Sequence, residues 1–300
     1  MTRATANILL LLTGLIWGAA FISQSTAMES LGPLQFTGVR FLVAALALVP
    51  MVFLEKRRSP AKTIDRRLWP QFIAVGFCFT IGTVLQQYGL TVTTVTNAGF
   101  LTAVYVVLTP IMGLMFFRQV PHFLVWPASL MTLTGIYLLG GGSLSALNWG
   151  DVLMIICAVF WAFQVILLGR LVMMCGRPMA VAFTQFLFVG VVAVAASLFY
   201  ESYTVAAFQA AWFEIFFAGV MSGGVAFTLQ AVAQQWTAPA DAAIILSSEA
   251  LFAAIFGALL LGERLPLVGI VGCALIFLGV LIVEVAPMLM RRLRTRSSTT

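Results

Sequence analysis

Ten stretches of about twenty apolar residues, separated by short loops, leave this chain few ways to fold. Their approximate limits are 6–25, 33–54, 69–91, 94–117, 121–140, 150–170, 178–200, 210–235, 238–266 and 266–286. A helix rises about 1.5 Å per residue, so about twenty residues cross the hydrocarbon core of a bilayer. The sequence is 62% hydrophobic and 9% charged, with a mean hydropathy of +1.07, where a soluble domain carries about 25% charged residues. Too little polar surface is available to cover the chain in water, and it reads as an all-α integral membrane protein. The first stretch has a basic start at Arg3 like a signal peptide, but its apolar body is longer than a signal core. A later segment resembles it, so it is taken as a span.

Polar residues inside the spans are the candidates for function. Glu249 lies about eleven residues into the run from Ala238 to Pro266, near mid-membrane, where a charge costs at least about 2.5 kcal/mol on insertion scales. It needs a partner, a proton or a watery cavity; the plain alternative is a polar clamp between helices. Arg40 lies about eight residues inside the second span. It either snorkels outward or meets Glu249 in an ion pair across the bundle. Gln86, Asn97, Tyr105, Gln164 and Gln230 are amides and a phenol within spans, and Trp17 and Trp161 are large rings there. Pro110 interrupts the fourth span and frees backbone groups, which a bundle interior or wet cavity accommodates. Gly219, Gly223, Ala226 and Gln230 form a small-residue face ending in an amide. Packing explains each of these residues equally well when it is taken alone.

The two halves of the chain match at a fixed interval. Trp161 follows Trp17 by 144 positions, and Gln230 follows Gln86, Thr237 follows Thr93 and Gly279 follows Gly135 by the same interval. Around the second span it slips by one, pairing Pro33 with Pro178 and Phe41 with Phe186. An interval held over more than a hundred residues indicates duplication of a five-span unit. Residues 1–145 form the first unit, 146–290 the second, and 291–300 a basic tail. Because five is odd, the second copy crosses in the opposite sense, and such repeats place a solute site near the midplane where they meet.

Charge orients the bundle. If the N-terminus is inside, then of the sixteen Lys and Arg only Arg40 and Arg264 fall outside the inner regions, with six cations clustered in 55–67. That bias follows the positive-inside rule and puts both termini in the cytoplasm. The +6 net charge is then a topology signal rather than a nucleic-acid patch. Catalysis and metal binding find no support. The four cysteines stand singly in apolar runs, and the one histidine, His122, sits at a helix end beside Pro121.

GLIWGAAF at 14–21, Arg40-Phe41, YVVLTP at 105–110 and SEALFAAIFGALLLGERLP at 248–266 together resemble the drug/metabolite transporter superfamily, in its EamA branch. The likeness spans nearly the whole chain. It departs where many relatives read Glu-Pro and this chain has Glu249-Ala250, and where the first half ends in FRQVP at 117–121. The resemblance implies two inverted five-helix repeats in which spans 1–4 and 6–9 surround a central cavity, with 5 and 10 peripheral. It also implies a bacterial inner-membrane exporter of small metabolites such as amino acids, without cofactor and working by alternating access. Trp17 and Trp161 would wall the site. Arg40, Gln86, Asn97, Tyr105, Gln164 and Gln230 would supply its polar contacts, and Glu249 would take a substrate amine or a coupling proton. Efflux of drugs, nucleobases or sugars by the same fold is the alternative. A lipid-modifying enzyme would need clustered acid–base or metal-binding groups that this sequence lacks. A Glu263–Arg264 pair closing the ninth span reads as a structural cap.

Overall fold

The computed structural model describes residues 1–58, 63–139, 148–260 and 267–297, with side chains except that of Thr96 and those from position 284 onward. Every regular element among them is helical. Eight helices are long and apolar enough to cross a membrane, and the shorter apolar helices Val125–Leu139 and Leu267–Val283 take the fifth and tenth places. Hydrocarbon offers backbone groups no partner, so an apolar run of this length satisfies them internally as helix. Spans 1, 2, 3, 6 and 7 are continuous: Arg3–Ala27, Pro33–Arg58, Trp69–Gly89, Trp149–Cys175 and Pro178–Tyr200. Polar caps start several of them. Thr2 accepts from the Thr5 amide, and Asn148 and Asp151 form a reciprocal capping box at the head of span 6.

Spans 4, 8 and 9 are irregular. Span 4 is Val95–Thr102 followed by Tyr105–Phe117, and span 9 is Pro239–Leu246 followed by Ser248–Leu260. The two breaks, at Ala103–Val104 and at Ser247, lie at equivalent places in the two repeats. Pro110 lies inside the second piece of span 4 rather than at its break. Span 8 passes from Trp212–Phe216 through a π-helical stretch, Phe217–Phe227, to Thr228–Ala233. The tenth helix continues to Ser297. Regular helix thus runs on past 286, where the tenth apolar stretch of the sequence ends. The Glu263–Arg264 cap lies outside the described residues.

Packing follows a pseudo-twofold. Span 2 packs on 7, 5 on 10, 3 on 6 as 8 does on 1, and 1 on 9 as 6 does on 4. Exchanging the repeats maps each pair onto a pair. Spans 2 and 7 run antiparallel, as two carboxylates make plain. Glu55, near the end of span 2, accepts from the Met179 and Ala180 amides at the start of span 7 (2.9 and 3.2 Å). Glu201, just after span 7, accepts from Leu34 and Gln35 at the start of span 2 (2.9 and 2.7 Å). A carboxylate on the free amides of a helix start is a charge-assisted cap that also complements the helix dipole.

Small residues let the spans approach. Gly14 and Gly18 lie against the backbone of span 9, and Gly219 and Gly223, from the small-residue face of span 8, against span 2. At the crossing of spans 5 and 10, a Cβ added to Gly135 or to Gly272 would fall on the other glycine's carbonyl oxygen. Gly135→Leu is therefore expected to destabilise the protein by about 1–3 kcal/mol. Thermal unfolding of the detergent-solubilised protein measures it.

Candidate functional site

The broken helices and the aromatic residues converge on a central cavity of about 30 Å³. Span 1 contributes Trp17, Phe21 and Gln24, spaced four and three so that one face presents all three. Arg40 and Phe41 come from span 2, Thr83 and Gln86 from span 3, and Trp161 and Val165 from span 6. Thr102 and Tyr105 flank the break in span 4, and Glu249 follows the break in span 9. Span 8 adds Ser222, Phe227 and Gln230.

The cavity straddles the pseudo-twofold. Trp17 with Trp161, Phe21 with Val165, Thr83 with Phe227, Gln86 with Gln230, and Tyr105 with Glu249 are each 144 positions apart. The two indoles lie 6.4 Å apart between centroids, and Phe227 packs against both, at 4.4 Å from Trp17 and stacked 5.8 Å from Trp161. Phe79 meets Phe227 and Trp161 edge-on at 4.8 and 5.6 Å. Such edge-to-face and offset pairs suit the ring quadrupoles and hold the wall rigid. The Trp17 indole donates to the Ser222 carbonyl (3.4 Å), and Thr13 donates to the Ala226 carbonyl (3.1 Å). Both carbonyls lie in the π-helical stretch, whose wide turns are frequent at functional sites.

Charge and hydrogen bonding are left incomplete at the centre. Glu249 is 4% exposed and its Oε1 has no hydrogen-bond partner. It sits in the first turn of Ser248–Leu260, where the positive helix end favours a carboxylate. Tyr105 heads its own helix, and its hydroxyl lies beside the Glu249 carboxyl but is also unpartnered. The Arg40 guanidinium is held over the rings of Phe36 (5.1 Å) and Phe41 (4.8 Å), with Nε unpartnered. Trp161 Nε1 and Gln230 Oε1 also lack partners. The supply of free donors and acceptors suits a polar guest.

Of the nine residues singled out in the sequence, seven line this cavity. Gln164 and Asn97 do not. Gln164 is fully buried behind the wall, accepting from Gln230 (3.3 Å) and donating to Gln185 (3.3 Å). Asn97 is half-buried in the first turn of span 4, its backbone N–H donating to Thr94 Oγ1 (3.2 Å). Arg40 is buried rather than turned outward, and it forms no ion pair with Glu249. The ion pairs among the described residues are Arg3–Asp241 (2.7 Å) and Arg177–Glu55 (3.0 Å), and Arg40 instead packs on the aromatic rings of its own helix. Sequence reasoning did not place Phe21, Gln24, Phe41, Thr83, Thr102, Val165, Ser222 or Phe227 at the site. Extending the Trp17–Phe21 stripe by three finds Gln24, and adding the repeat interval to Thr83 finds Phe227. The π-helical register of span 8 hides Ser222. Among the described residues no group of three His, Cys, Asp or Glu could hold a metal.

A larger space of about 470 Å³ lies at the end of the bundle that carries Arg118 and Arg170, bounded by the second piece of span 4, Gln119, Met173 and residues 235–240. Thr109 and Gly113 line it, one and two four-residue steps beyond Tyr105 on the same helix face. It therefore lies along span 4 from the central cavity.

These features define a multi-pass membrane protein with a small cavity, lined by polar and aromatic residues, between two repeats. The model of the EamA-like transporter family matches residues 4–141 and 148–285, and the chain belongs to that family; it is a transporter rather than an enzyme. It is 32% identical to an uncharacterized transporter of Archaeoglobus fulgidus over 290 residues, 94% of this chain and 86% of that one. It is 30% identical to the uncharacterized inner membrane transporter YedA of Escherichia coli K12 over 192 residues, 61% of this chain and 59% of that one. A protein of known crystal structure shares the fold, with a TM-score of 0.77 at 15% identity over 97% of this chain and 99% of that one.

Gln230→Leu is expected to strand the Gln164 acceptor and cost about 1–3 kcal/mol. Asn97→Ala should stay within about 0.5 kcal/mol of wild type. Unfolding in detergent compares the two.

Proposed function

We propose that this transporter exports a small amphipathic metabolite, an amino acid or similar zwitterion, across a bacterial inner membrane by alternating access. The observation that carries this reading is a carboxylate and a guanidinium in one aromatic-walled cavity, neither paired with the other. Glu249 suits a substrate amine or a coupling proton, and Arg40 suits a carboxylate. Gln86, Gln230 and Tyr105 would fix orientation, and Trp17 and Trp161 would cover the apolar part, as small-molecule sites usually require. A volume of about 30 Å³ has room for about two water molecules. A metabolite therefore enters only after the helices move, and the 470 Å³ space supports entry from the basic end. We read that end as cytoplasmic because the loop cations gather there. The repeats are read as 1–145 and 146–290, with a cytoplasmic segment 291–300. No cofactor is invoked.

Uptake of a labelled amino-acid panel into proteoliposomes tests the reading. Saturable, competable flux is expected for wild type, falling at least tenfold or losing its pH dependence in Glu249→Gln. Flux unaffected by that change would reduce Glu249 to a helix clamp. A panel with no saturable substrate would remove the amino-acid assignment and point to other metabolites or drugs.

A further inference from the structure

Two repeats that rock as rigid bodies would carry span 2 with one body and span 7 with the other. The structure ties these spans together at both ends. At the basic end Glu55 holds the Met179 and Ala180 amides and the Arg177 Nε (2.9, 3.2 and 3.0 Å). At the opposite end Glu201 holds the Leu34 and Gln35 amides (2.9 and 2.7 Å), and Gln35 Nε2 donates to the Ser202 carbonyl (2.7 Å). Between the staples the backbones touch through glycine. A Cβ on Gly38 would press on the Val194 amide, and one on Gly190 on that of Leu42. Phe41 and Phe186 stack across the join at 5.8 Å. Sliding span 2 by one helical turn along span 7, about 5.4 Å, would take all of these bonds beyond hydrogen-bonding distance at both faces.

Spans 4 and 9 are joined differently. Each is broken beside the cavity, and Tyr105 and Glu249 lie in the first turn of the piece that follows. Their contact at Gly99 is an ordinary one, since a Cβ there would sit 3.6 Å from the Ala253 Cβ.

We infer that spans 2 and 7 form one fixed strut shared by both repeats, and that the path opens by movement of the half-helices of spans 4 and 9 against it. Glu55 and Glu201 are then positioning residues: they fix the wall that carries Arg40 and Phe41 without touching the cavity themselves. This inference rests on the transport reading for its flux test but not for its distance test.

Cross-linking decides it, in a chain whose four cysteines are replaced and whose flux is retained. Gln35→Cys with Glu201→Cys, and Glu55→Cys with Met179→Cys, are joined by a short bifunctional thiol reagent that substitutes for both staples. Flux is expected to fall in the unlinked quadruple variant and to recover to at least half of the parent on linking. Gly99→Cys with Ala253→Cys has the Cβ separation of a disulfide; oxidation should cut flux at least tenfold, and reductant should restore it. Loss of flux on linking spans 2 and 7, or full flux with spans 4 and 9 linked, overturns the inference. If no solute is transported, spin labels give the answer independently. Leu46→Cys with Leu198→Cys, on exposed positions of spans 2 and 7, should give one narrow distance distribution. Val92→Cys, in the turn that leads into span 4, with Leu259→Cys, near the end of span 9, should give a broad or double one. The opposite pattern, or narrow distributions for both, overturns it.

Discussion

Inside hydrocarbon a backbone amide or carbonyl that leaves its helix must find a partner within the protein. This chain departs from regular helix in spans 4, 8 and 9, and the departures meet at one place. There the π-helical carbonyls of Ser222 and Ala226 accept from Trp17 and Thr13, and the Ser247 hydroxyl returns a bond to the Ile244 carbonyl (2.6 Å). The irregular backbone is gathered at the centre because only there can side chains from other spans satisfy it. The same requirement leaves the periphery, where spans 5 and 10 cross, as plain helix held by glycine contact.

Irregularity and chemistry coincide for this reason. A break in a helix exposes a positive N-terminal end in the middle of the membrane, and Tyr105 and Glu249 lie in the first turns at those ends. A carboxylate is least costly to bury at such an end. Glu249 needs no arginine partner to be placed there, which leaves Arg40 to its aromatic seat and both groups free toward the cavity.

Much of this was legible in the sequence because membrane burial makes polar residues conspicuous. Trp17, Arg40, Gln86, Tyr105, Trp161, Gln230 and Glu249 are found by depth in an apolar run and by the 144-residue interval, and both survive folding. Depth alone does not tell which side of a helix faces the cavity, and Gln164 shows the consequence: equally deep, it turns to Gln185 and Gln230. Asn97 lies too close to a helix start, where Thr94 engages its amide. The π-helical register of span 8 and the breaks in spans 4 and 9 are decided by tertiary partners, so no local pattern announces them. The staples of Glu55 and Glu201 were equally silent, since each carboxylate closes a contact more than 120 residues away.

The cavity's paired residues bear on the orientation of whatever binds there. Two walls that match through a twofold would accept a guest in either of two equivalent poses. Trp17 and Trp161, and Gln86 and Gln230, preserve that equivalence. Phe21 and Val165, and Thr83 and Phe227, relax it, and Tyr105 and Glu249 break it in charge, placing a neutral phenol on one side and an acid on the other. A guest with one cationic end would meet a lock with a single keyed side, so duplication has produced a symmetric frame around a polar axis.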